Sequence, residues 1–240
     1  MLKIFSGIKL AFLILITVVA TVSVSVVYLL YIAFRGDPRL FNAIGRKWSG
    51  FLLKLCSINC KITGLEKLDP DKTYVYVCNH SSLFDIPVVL ASLKDDVRIM
   101  YKKELEKIPI FGYGLRKSNF IAVTRSNPRN AMASIEEAVK TVRENASVLV
   151  FPEGTRSVDG KLGSFKRGAF VLASRSDKEI VPVAIQGTSA ILPSKSFKLQ
   201  GGDVLVNIGR PMSFAHSDDR AAENRFMSEV RDEISKMLDS

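Results

Sequence analysis

The apolar residues of this chain follow three successive patterns. The first is a run of 25 uncharged positions, residues 10–34, in which most side chains are apolar. A helix that crosses a bilayer needs roughly 20 such residues, whereas the core of a secretory signal is usually about 7–15 residues long and ends at a small-residue cleavage site. Because this run ends in aromatic and aliphatic residues followed by Arg35, we expect a retained membrane anchor.

The second pattern has the period of a helix. Between residues 38 and 56, apolar side chains recur every three or four positions, and basic side chains flank that stripe. The pattern predicts an amphipathic helix that lies in the headgroup plane of a bilayer, packs on the rest of the chain, or does both. We assign residues 1–59 to an N-terminal membrane anchor and interfacial helix, and residues 60–240 to one α/β domain.

The third pattern, from about residue 60, alternates short apolar runs with helical spacing. Strands are predicted at residues 74–77, 97–101, 120–123, 148–151, 180–186 and 204–208. Helices are predicted after Asp85, over residues 127–144 and 166–176, and from about residue 217. This alternation indicates an α/β fold in which helices flank a mixed sheet. Pro182 falls inside one predicted strand, and because proline removes a ladder hydrogen bond, it predicts a sheet edge or a bulge there.

The net charge narrows the range of partners. The chain carries a formal charge of +10 and has a pI of about 9.6, so we expect an anionic partner: nucleic acid, a membrane surface or a phosphorylated substrate. Basic residues gather after the apolar run, which by the positive-inside rule places the C-terminal domain on the cytosolic face, that of the inner or plasma membrane in a bacterium. The sequence lacks interleaved aromatic and basic runs of the RNA-binding kind, so nucleic acid is disfavoured.

One of the two histidines lies where a predicted strand ends, in the stretch NHSSLFD, residues 79–85. Five positions along a continuous helix correspond to about 500° of rotation, so His80 and Asp85 would face different directions. They can meet only if residues 80–84 form a turn and Asp85 begins the next helix, where the helix dipole favours its charge. The carboxylate would then hold one imidazole nitrogen and leave the other free as a general base. A capped helix preceded by a surface histidine is the alternative interpretation.

A second polar group follows the predicted strand 148–151, in the stretch FPEGTRS. A turn at the carboxyl end of a strand is where α/β sheets place ligands. The candidate ligand contacts in this turn are Glu153, Gly154, Thr155 and Arg156. The glycine allows the backbone to approach a ligand closely, and the arginine can bind a phosphate with two parallel hydrogen bonds. An ordinary exposed turn would carry the same residues.

Three further cations follow predicted strands. Arg125 comes at the end of strand 120–123, and Lys102 and Lys103 come after strand 97–101. The lysines are candidate anion contacts or solvated charges. The sequence contains no Gly-x-Ser-x-Gly elbow, P-loop or Gly-x-Gly-x-x-Gly stretch, which disfavours a serine hydrolase of the usual α/β type and a nucleotide-binding enzyme.

Four stretches, in order, resemble the motif blocks of one enzyme family. NHSSLFD, FIAVTR, FPEGTRS and IVPVAI are similar to the four blocks of the glycerolipid acyltransferases, most closely the 1-acyl-sn-glycerol-3-phosphate (lysophosphatidic acid) acyltransferases. The stretch YKKELEKIPIFG resembles the segment between the first two blocks. The resemblance covers about residues 60–210. It departs at the second block, where many members have a glycine and an acidic residue and this chain has Asn119 and Val123-Thr124.

The resemblance implies transfer of a fatty acyl group from a thioester to the sn-2 hydroxyl of lysophosphatidic acid, which forms phosphatidic acid. It implies that His80 deprotonates the acceptor hydroxyl and that Asp85 orients the imidazole and stabilises its charged form. Arg125 and the turn 153–156 would bind the glycerol phosphate, and no metal or other cofactor is expected. The implied partners are membrane lipids, lysophosphatidic acid, and either acyl-CoA or an acyl carrier protein as the thioester donor.

Two alternatives stay open at this point. An acyltransferase of this kind could use glycerol 3-phosphate or another lysolipid as its acceptor. A non-catalytic protein that binds anionic lipid or nucleic acid would share the charge and the anchor, but it would have no need for a histidine and a carboxylate beside arginines.

Overall fold

The structure, a computed structural model, describes residues 3–4, 7–33, 40–118, 120–124, 128–143, 146–196, 198–214 and 219–240. In these residues the strands are β1 (Lys3–Ile4), β2 (Ile58–Thr63), β3 (Val75–Cys78), β4 (Val97–Lys102), β5 (Ile121–Val123), β6 (Ser147–Val150), β7 (Ile180–Gln186) and β8 (Gln200–Ile208). The helices are α1 (Gly7–Ala33), α2 (Leu40–Leu55), α3 (Asp85–Ser92), α4 (Phe111–Lys117), α5 (Pro128–Arg143), α6 (Gly168–Ser176), α7 (Thr188–Ile191) and α8 (Arg220–Asp239), with short 3-10 helices at Leu65–Lys67 and Lys103–Lys107.

The strands form one mixed sheet. Their order is β1-β8-β7-β3-β6-β4-β5, and β2 also pairs with β8. The five strands β7, β3, β6, β4 and β5 are parallel to one another, whereas β8 runs antiparallel to β7. The carboxyl ends of the five parallel strands therefore meet at one edge of the sheet, which we call the carboxyl edge and which is where α/β sheets bind ligands.

Helices cover both faces of this sheet because its strands are apolar on both sides. Along β3, Tyr76 and Cys78 pack into a core with α2, α3 and α7. The alternate residues, Val75 and Val77, pack into a second core with α5, α6 and α8. Successive side chains of a strand point to opposite faces, so a fully buried strand has to be apolar throughout, as β3 is. The mixed sheet with flanking helices confirms the predicted α/β class.

The six predicted strands are all present, five of them with ends within one residue of the prediction. The prediction missed β1, β2, α4 and α7. The strand β2 alternates between inward and outward residues and pairs with β8 in parallel register. The predicted domain boundary between residues 59 and 60 falls inside this strand.

The prediction that Pro182 marks an edge or a bulge is confirmed by a bulge on the β8 side of β7. Pro182 lies in β7, which pairs with β3 on one side and β8 on the other. The β8 ladder begins only at Val183, opposite Ile208, and the Pro182 carbonyl accepts a hydrogen bond of 2.8 Å from the amide of Gly209. The amide and carbonyl of one strand residue point to the same side. Gly209 therefore lies opposite Pro182, and the return bond of this pair is lost because proline has no N–H. The next pair is Ile180 with Met212, so residues 210 and 211 together oppose Val181 and form a bulge.

The helix α1 has the length and composition of a membrane helix. Within the described part of the chain, Leu10–Tyr31 alone is long and apolar enough to cross a membrane, with a mean hydropathy of 2.7 and 6% of its window buried. The chain contacts the domain just before α1 and near the end of α1. β1, just before it, pairs with Gln200 and Gly201 of β8, and the Tyr28 hydroxyl donates to the carbonyl of Lys117 at 3.1 Å.

The helix α2 packs on the domain, as one of the two interpretations of its pattern predicted. Asn42 is buried and its amide bonds to the carboxylate of Asp96. Arg46 donates to the carbonyl of Asp95 at 2.8 Å. Phe51 stays exposed on the outer side, so this helix also keeps an apolar residue available to a bilayer.

Candidate active site

The site begins where β3 leaves the sheet. The side chain of Asn79 continues the pairing of the strand, since its amide nitrogen donates to the carbonyl of Ile185 at 3.0 Å and its oxygen accepts from the Ile185 amide at 2.8 Å. Asn79 therefore copies one more rung of the ladder with β7 while its own backbone is free to turn. The next residue, His80, stands at the carboxyl edge.

Asp85 is the first residue of α3, and its carboxylate folds back onto the preceding turn. Its Oδ2 accepts hydrogen bonds from the amides of Ser81 at 2.7 Å and Ser82 at 2.8 Å. The same oxygen lies 2.8 Å from Nδ1 of His80, and Asp85 is fully buried. The structure thus contains the turn and helix start that the spacing required, and it brings His80 and Asp85 together.

The carboxylate fixes the orientation of the imidazole. With Nδ1–H donating to Asp85, Nε2 of the neutral ring is the nitrogen that can accept a proton. The ring of Phe151 stacks on the imidazole with centroids 4.1 Å apart and an interplanar angle of 21°. The side chain of His80 is 15% exposed, so it is enclosed by protein and still reachable. This geometry can supply an oriented general base.

Thr188, which no motif indicated, holds the other oxygen of Asp85. Its buried Oγ1 donates to Oδ1 of the carboxylate at 2.5 Å. Thr188 follows Gly187, which has a φ of 92° and where a Cβ would lie 2.4 Å from the carbonyl oxygen of Asp203, so glycine is required. The signal in the sequence was position, because Thr188 comes soon after predicted strand 180–186 and therefore at the carboxyl edge.

Glu153 faces into the protein. Its Oε1 accepts a hydrogen bond from the amide of His80 at 2.7 Å, and its Oε2 accepts from the amide of Gly163 at 2.8 Å. The amide of Ser157 in turn donates to the carbonyl of His80 at 2.7 Å. Burial raises the pKa of Glu153, while the two amide hydrogen bonds act in the opposite direction. Glu153 therefore positions the backbone of His80, which differs from the substrate contact that the resemblance implied.

The rest of this turn presents a cation. Gly154 has a φ of 74°, and its amide donates to the carbonyl of Phe151 at 3.1 Å. Thr155 is exposed and Arg156 is partly exposed. Arg156 makes no hydrogen bond or ion pair with any residue that the structure describes. An unengaged guanidinium therefore sits on the same turn that fixes His80.

An apolar groove of about 270 Å³ opens beside the turn. Its walls include Met100, Ile135, Val150 and Phe151, and Lys166 is the charged residue of its lining. Phe151 lines the groove and stacks on the ring of His80, so the groove lies beside the candidate general base.

Of the other predicted anion contacts, Lys102 and Lys103 lie away from the His80 turn. Arg125 lies outside the described residues. Lys102 ends β4 and Lys103 follows it; both are exposed, and Lys102 Nζ lies 3.7 Å from the Glu104 carboxylate. Since β6 separates β4 from β3, these lysines leave the sheet about 10 Å from the end of β3, on the same carboxyl edge.

The neighbouring hydroxyl and thiol groups are engaged or buried. The Ser81 hydroxyl bonds to Thr188 Oγ1 at 3.1 Å, and the Ser82 hydroxyl donates to the carbonyl of Leu192 at 2.9 Å. Cys78 is fully buried, and burial raises the pKa of its thiol well above the usual value. Among the described residues, no group of three or more His, Cys, Asp or Glu is arranged to hold a metal ion.

Known proteins are similar in sequence to this chain over most of its length. Residues 59–186 match the profile of the family described as Acyltransferase. A chloroplastic 1-acyl-sn-glycerol-3-phosphate acyltransferase of Brassica napus is 36% identical over 206 residues, which are 81% of this chain and 60% of the relative. A 1-acyl-sn-glycerol-3-phosphate acyltransferase of Saccharomyces cerevisiae is 31% identical over 184 residues, 75% of this chain and 60% of the relative. The chain spans about three fifths of the length of these curated relatives.

A solved structure shares the fold. The 1-acyl-sn-glycerophosphate (LPA) acyltransferase PlsC from Thermotoga maritima superposes with a TM-score of 0.77, at 25% sequence identity and over 96% of each chain. The family profile covers more than half of the chain and includes His80, Asp85 and the turn 153–156. It confirms the resemblance inferred from the four motif blocks, and the chain belongs to the acyltransferase family.

Proposed function

We propose that this protein transfers a fatty acyl group from a thioester to the sn-2 hydroxyl of lysophosphatidic acid and so forms phosphatidic acid. The observation that carries the proposal is the His80–Asp85 pair, in which Nδ1 is held 2.8 Å from a buried carboxylate and Nε2 is left for the acceptor. The names of the relatives favour this acceptor over glycerol 3-phosphate or another lysolipid.

The acceptor hydroxyl is the nucleophile of the proposed reaction. Nε2 of His80 removes its proton as the oxygen attacks the carbonyl carbon of the thioester. Collapse of the tetrahedral intermediate breaks the C–S bond, and the leaving thiolate takes the proton from the imidazolium. General base catalysis of this kind typically contributes about 10²–10⁴-fold. The Ser81 and Ser82 hydroxyls bond inside the protein, which supports direct transfer without a covalent acyl-enzyme.

Asp85 stabilises the imidazolium that forms during this step. A carboxylate in a buried site interacts with a transient cation more strongly than it would in water. Thr188 and the amides of Ser81 and Ser82 keep the carboxylate facing the ring. Glu153 holds the backbone of His80, so both ends of the catalytic pair are fixed by hydrogen bonds.

The acceptor phosphate is bound by the cations of the carboxyl edge. Arg156 is the best supported contact, because it sits three residues from Glu153, which bonds to His80, and its planar guanidinium can donate two parallel hydrogen bonds to a phosphate. Thr155 and Arg125 complete the proposed contact, and Lys102 and Lys103 are outer anion contacts on the same edge.

The donor is a thioester carried on a phosphorylated group. Acyl-CoA and an acyl carrier protein both present phosphate, and both suit a chain of net charge +10. The apolar groove beside Phe151 suits an acyl chain. A thioester is reactive enough that the proposed reaction needs no metal or redox cofactor.

The proposed location is the cytosolic face of a membrane, with α1 inside one leaflet. A helix of 27 residues is about 40 Å long, and the hydrocarbon core of a bilayer is about 30 Å thick. Crossing the membrane would therefore put the two ends of α1 on opposite sides. The pairing of β1 with β8 and the bond from Tyr28 to Lys117 support a helix whose ends both stay with the domain.

The test is acyl transfer by the purified full-length protein. Lysophosphatidic acid and glycerol 3-phosphate are offered as acceptors in separate reactions, each with labelled acyl-CoA and with an acylated carrier protein. We expect labelled phosphatidic acid with at least one donor, at a rate well above the transfer to glycerol 3-phosphate. Preferential acylation of glycerol 3-phosphate, or no transfer to either acceptor, contradicts the proposal.

A further inference from the structure

A second apolar surface lies beside α1, on the segment that follows β4. Its residues are each between 37 and 46% exposed: Leu105, Ile108, Ile110, Phe111 and Tyr113. We call them the 105–113 surface. We infer that this surface inserts into an anionic lipid bilayer next to α1 and thereby turns the carboxyl edge, with its candidate active site, toward the lipid that carries the acceptor.

Hydrogen bonds hold the backbone of the 105–113 surface in place. Arg116 donates to the carbonyl of Glu106 at 2.8 Å, and the Glu106 carboxylate accepts a hydrogen bond from the Tyr101 hydroxyl at 3.0 Å. The amide of Gly112 donates to the carbonyl of Ile108 at 2.7 Å. These polar contacts hold the backbone, so the exposed apolar side chains cannot be attributed to a loop that lacks internal bonds.

The backbone of Ile110 makes this exposure harder to explain by folding alone. Its φ is 61° and its ψ is −60°, a conformation that a β-branched residue rarely adopts. A water-facing turn with a positive φ ordinarily carries glycine or asparagine. The backbone strain is the same in water and in lipid, whereas the side chain, 41% exposed, would gain free energy by burial in lipid.

We assign a bilayer as the partner of the 105–113 surface because this surface continues the apolar exterior of α1. Tyr28 of α1 bonds to the carbonyl of Lys117 in α4 at 3.1 Å. Tyr28 and Phe111 also line one apolar cavity of about 100 Å³ between α1, α2 and α4. A membrane that takes up α1 therefore meets the 105–113 surface as well. This step rests on the membrane placement of α1 proposed above.

Charges around the surface suit anionic headgroups. The segment carries Lys102, Lys103, Lys107, Arg116 and Lys117 against Glu104 and Glu106. The Tyr113 ring lies 5.4 Å from the Arg116 guanidinium and 5.8 Å from Lys117 Nζ. Tyrosine and basic side chains are enriched at the membrane–water interface, where the ring sits at the level of the headgroups and the cations reach anionic lipid.

Insertion would give the candidate site direct access to its acceptor. β4 runs parallel to β6, and β6 runs parallel to β3, so the 105–113 surface and His80 leave the sheet at the same edge. A lysolipid could then present its hydroxyl and phosphate to the site while its acyl chain stays in the bilayer.

The first test measures the depth of single tryptophans in vesicles of phosphatidylcholine and phosphatidylglycerol that contain brominated lipid. The chain has one tryptophan, so Trp48→Phe supplies a background for Phe111→Trp in the surface, Val27→Trp on exposed α1 and Ser228→Trp on the exposed side of α8. We expect the Phe111→Trp and Val27→Trp variants to be quenched at least threefold more than Ser228→Trp.

The outcomes of this test separate the proposals. A Phe111→Trp signal no more quenched than Ser228→Trp overturns the inference even if Val27→Trp is quenched. Lack of quenching in both Phe111→Trp and Val27→Trp overturns the membrane placement of α1 together with it. Because quenching needs no turnover, a failure of the proposed acyl transfer would leave this readout intact.

The second test compares activity in two media. The double variant Ile108→Asn with Phe111→Asn should transfer acyl groups to lysophosphatidic acid in vesicles about tenfold more slowly than the parent, and within twofold of it in detergent micelles. The matched control is Met132→Asn, an exposed apolar residue on α5, which should match the parent in both media. An equal loss in vesicles and micelles, or no loss in either, contradicts the inference.

Discussion

The two turns at the carboxyl edge are built in opposite ways. In the turn 80–85, Asp85 is fully buried and receives four hydrogen bonds, from His80, Ser81, Ser82 and Thr188. In the turn 153–156, the last two residues are exposed or partly exposed, and Arg156 has no partner among the described residues. The first turn is assembled before any substrate arrives, whereas the guanidinium of the second makes no bond to the described residues and is open to a ligand.

This difference in hydrogen bonding fits the role of each turn in the proposed reaction. A general base works best when its geometry is fixed before the reaction, and the hydrogen bonds around Asp85 supply that. A phosphate clamp gains from an unpaired cation, since no internal ion pair has to break when the phosphate binds. Glu153 joins the turns, because it bonds to the amide of His80 and lies three residues before Arg156. The base and the clamp are therefore held at a fixed separation.

The largest effect should come from removing the base. His80→Ala should lower kcat by about 10²–10⁴-fold, because no other described group replaces Nε2 beside the acceptor. Acyl transfer to lysophosphatidic acid measures it, and the unfolding temperature of the variant serves as the control for folding. Near-normal turnover by a folded His80→Ala protein would remove His80 from the reaction.

The next effect tests the open turn. Arg156→Ala should lower kcat/KM for lysophosphatidic acid roughly 10–100-fold, since hydrogen bonds to charged groups contribute about 1.5–3 kcal/mol. Arg156→Lys should fall between, because an ammonium is a point charge without the two parallel donors. The matched measurement uses a monoacylglycerol, which lacks the phosphate and should show little change in its slower transfer. A similar loss with both acceptors would argue against a phosphate contact.

The pattern of the sequence was sufficient for most of the sheet. Strands buried on both sides, such as β3, are apolar throughout, and that signal survives in any context. It failed for β2, which the predicted boundary between residues 59 and 60 divided between the anchor and the domain, whereas Pro182 correctly indicated the bulge beside β7. Which segment forms the bulge depends on residues 209–212, far along the chain, and cannot be derived from the proline itself.

The site was predictable in part. The His80–Asp85 contact needed only local geometry, a turn followed by a helix start. The inward orientation of Glu153 depends on the amide of His80, 73 positions away, and the role of Thr188 depends on a carboxylate 103 positions away. Contacts between turns at the ends of parallel strands form only when the sheet is assembled, so a single sequence could indicate the edge but not the partners.

A smaller effect should follow from loosening the buried turn without removing the base. Thr188→Val keeps the volume of the side chain but leaves Oδ1 of Asp85 without its side-chain donor, and an unsatisfied buried group costs about 1–3 kcal/mol. We expect kcat to fall roughly tenfold with KM for lysophosphatidic acid unchanged, because the carboxylate is less well oriented. Thr188→Ser restores the hydroxyl and should recover most of the rate. Equal losses in the valine and serine variants would mean that Thr188 acts through packing.

The smallest effect concerns Glu153, which links the two turns, and it appears as a dependence of stability on pH. Burial raises the pKa of this carboxyl in the folded protein. A carboxyl with a raised pKa binds its proton more tightly in the native state, so its contribution to stability is most favourable below the unfolded pKa and is lost as pH rises through the folded pKa.

The Glu153→Gln variant has no proton to bind at this position, and it also loses one acceptor for the amides of His80 and Gly163. It should therefore be less stable than the parent at every pH, and its stability should depend less on pH. The difference in unfolding free energy between parent and variant should therefore shrink as pH rises from about 4 to 7, by about 1.4 kcal/mol for each unit by which the pKa is raised. Thermal unfolding in detergent across that range measures it, with Glu229→Gln on the exposed face of α8 as the matched control. Parallel profiles for the parent and the Glu153→Gln protein would show that the amide donors stabilise the carboxylate as fully as water does. Burial of the Glu153 carboxylate would then cost the folded protein no free energy.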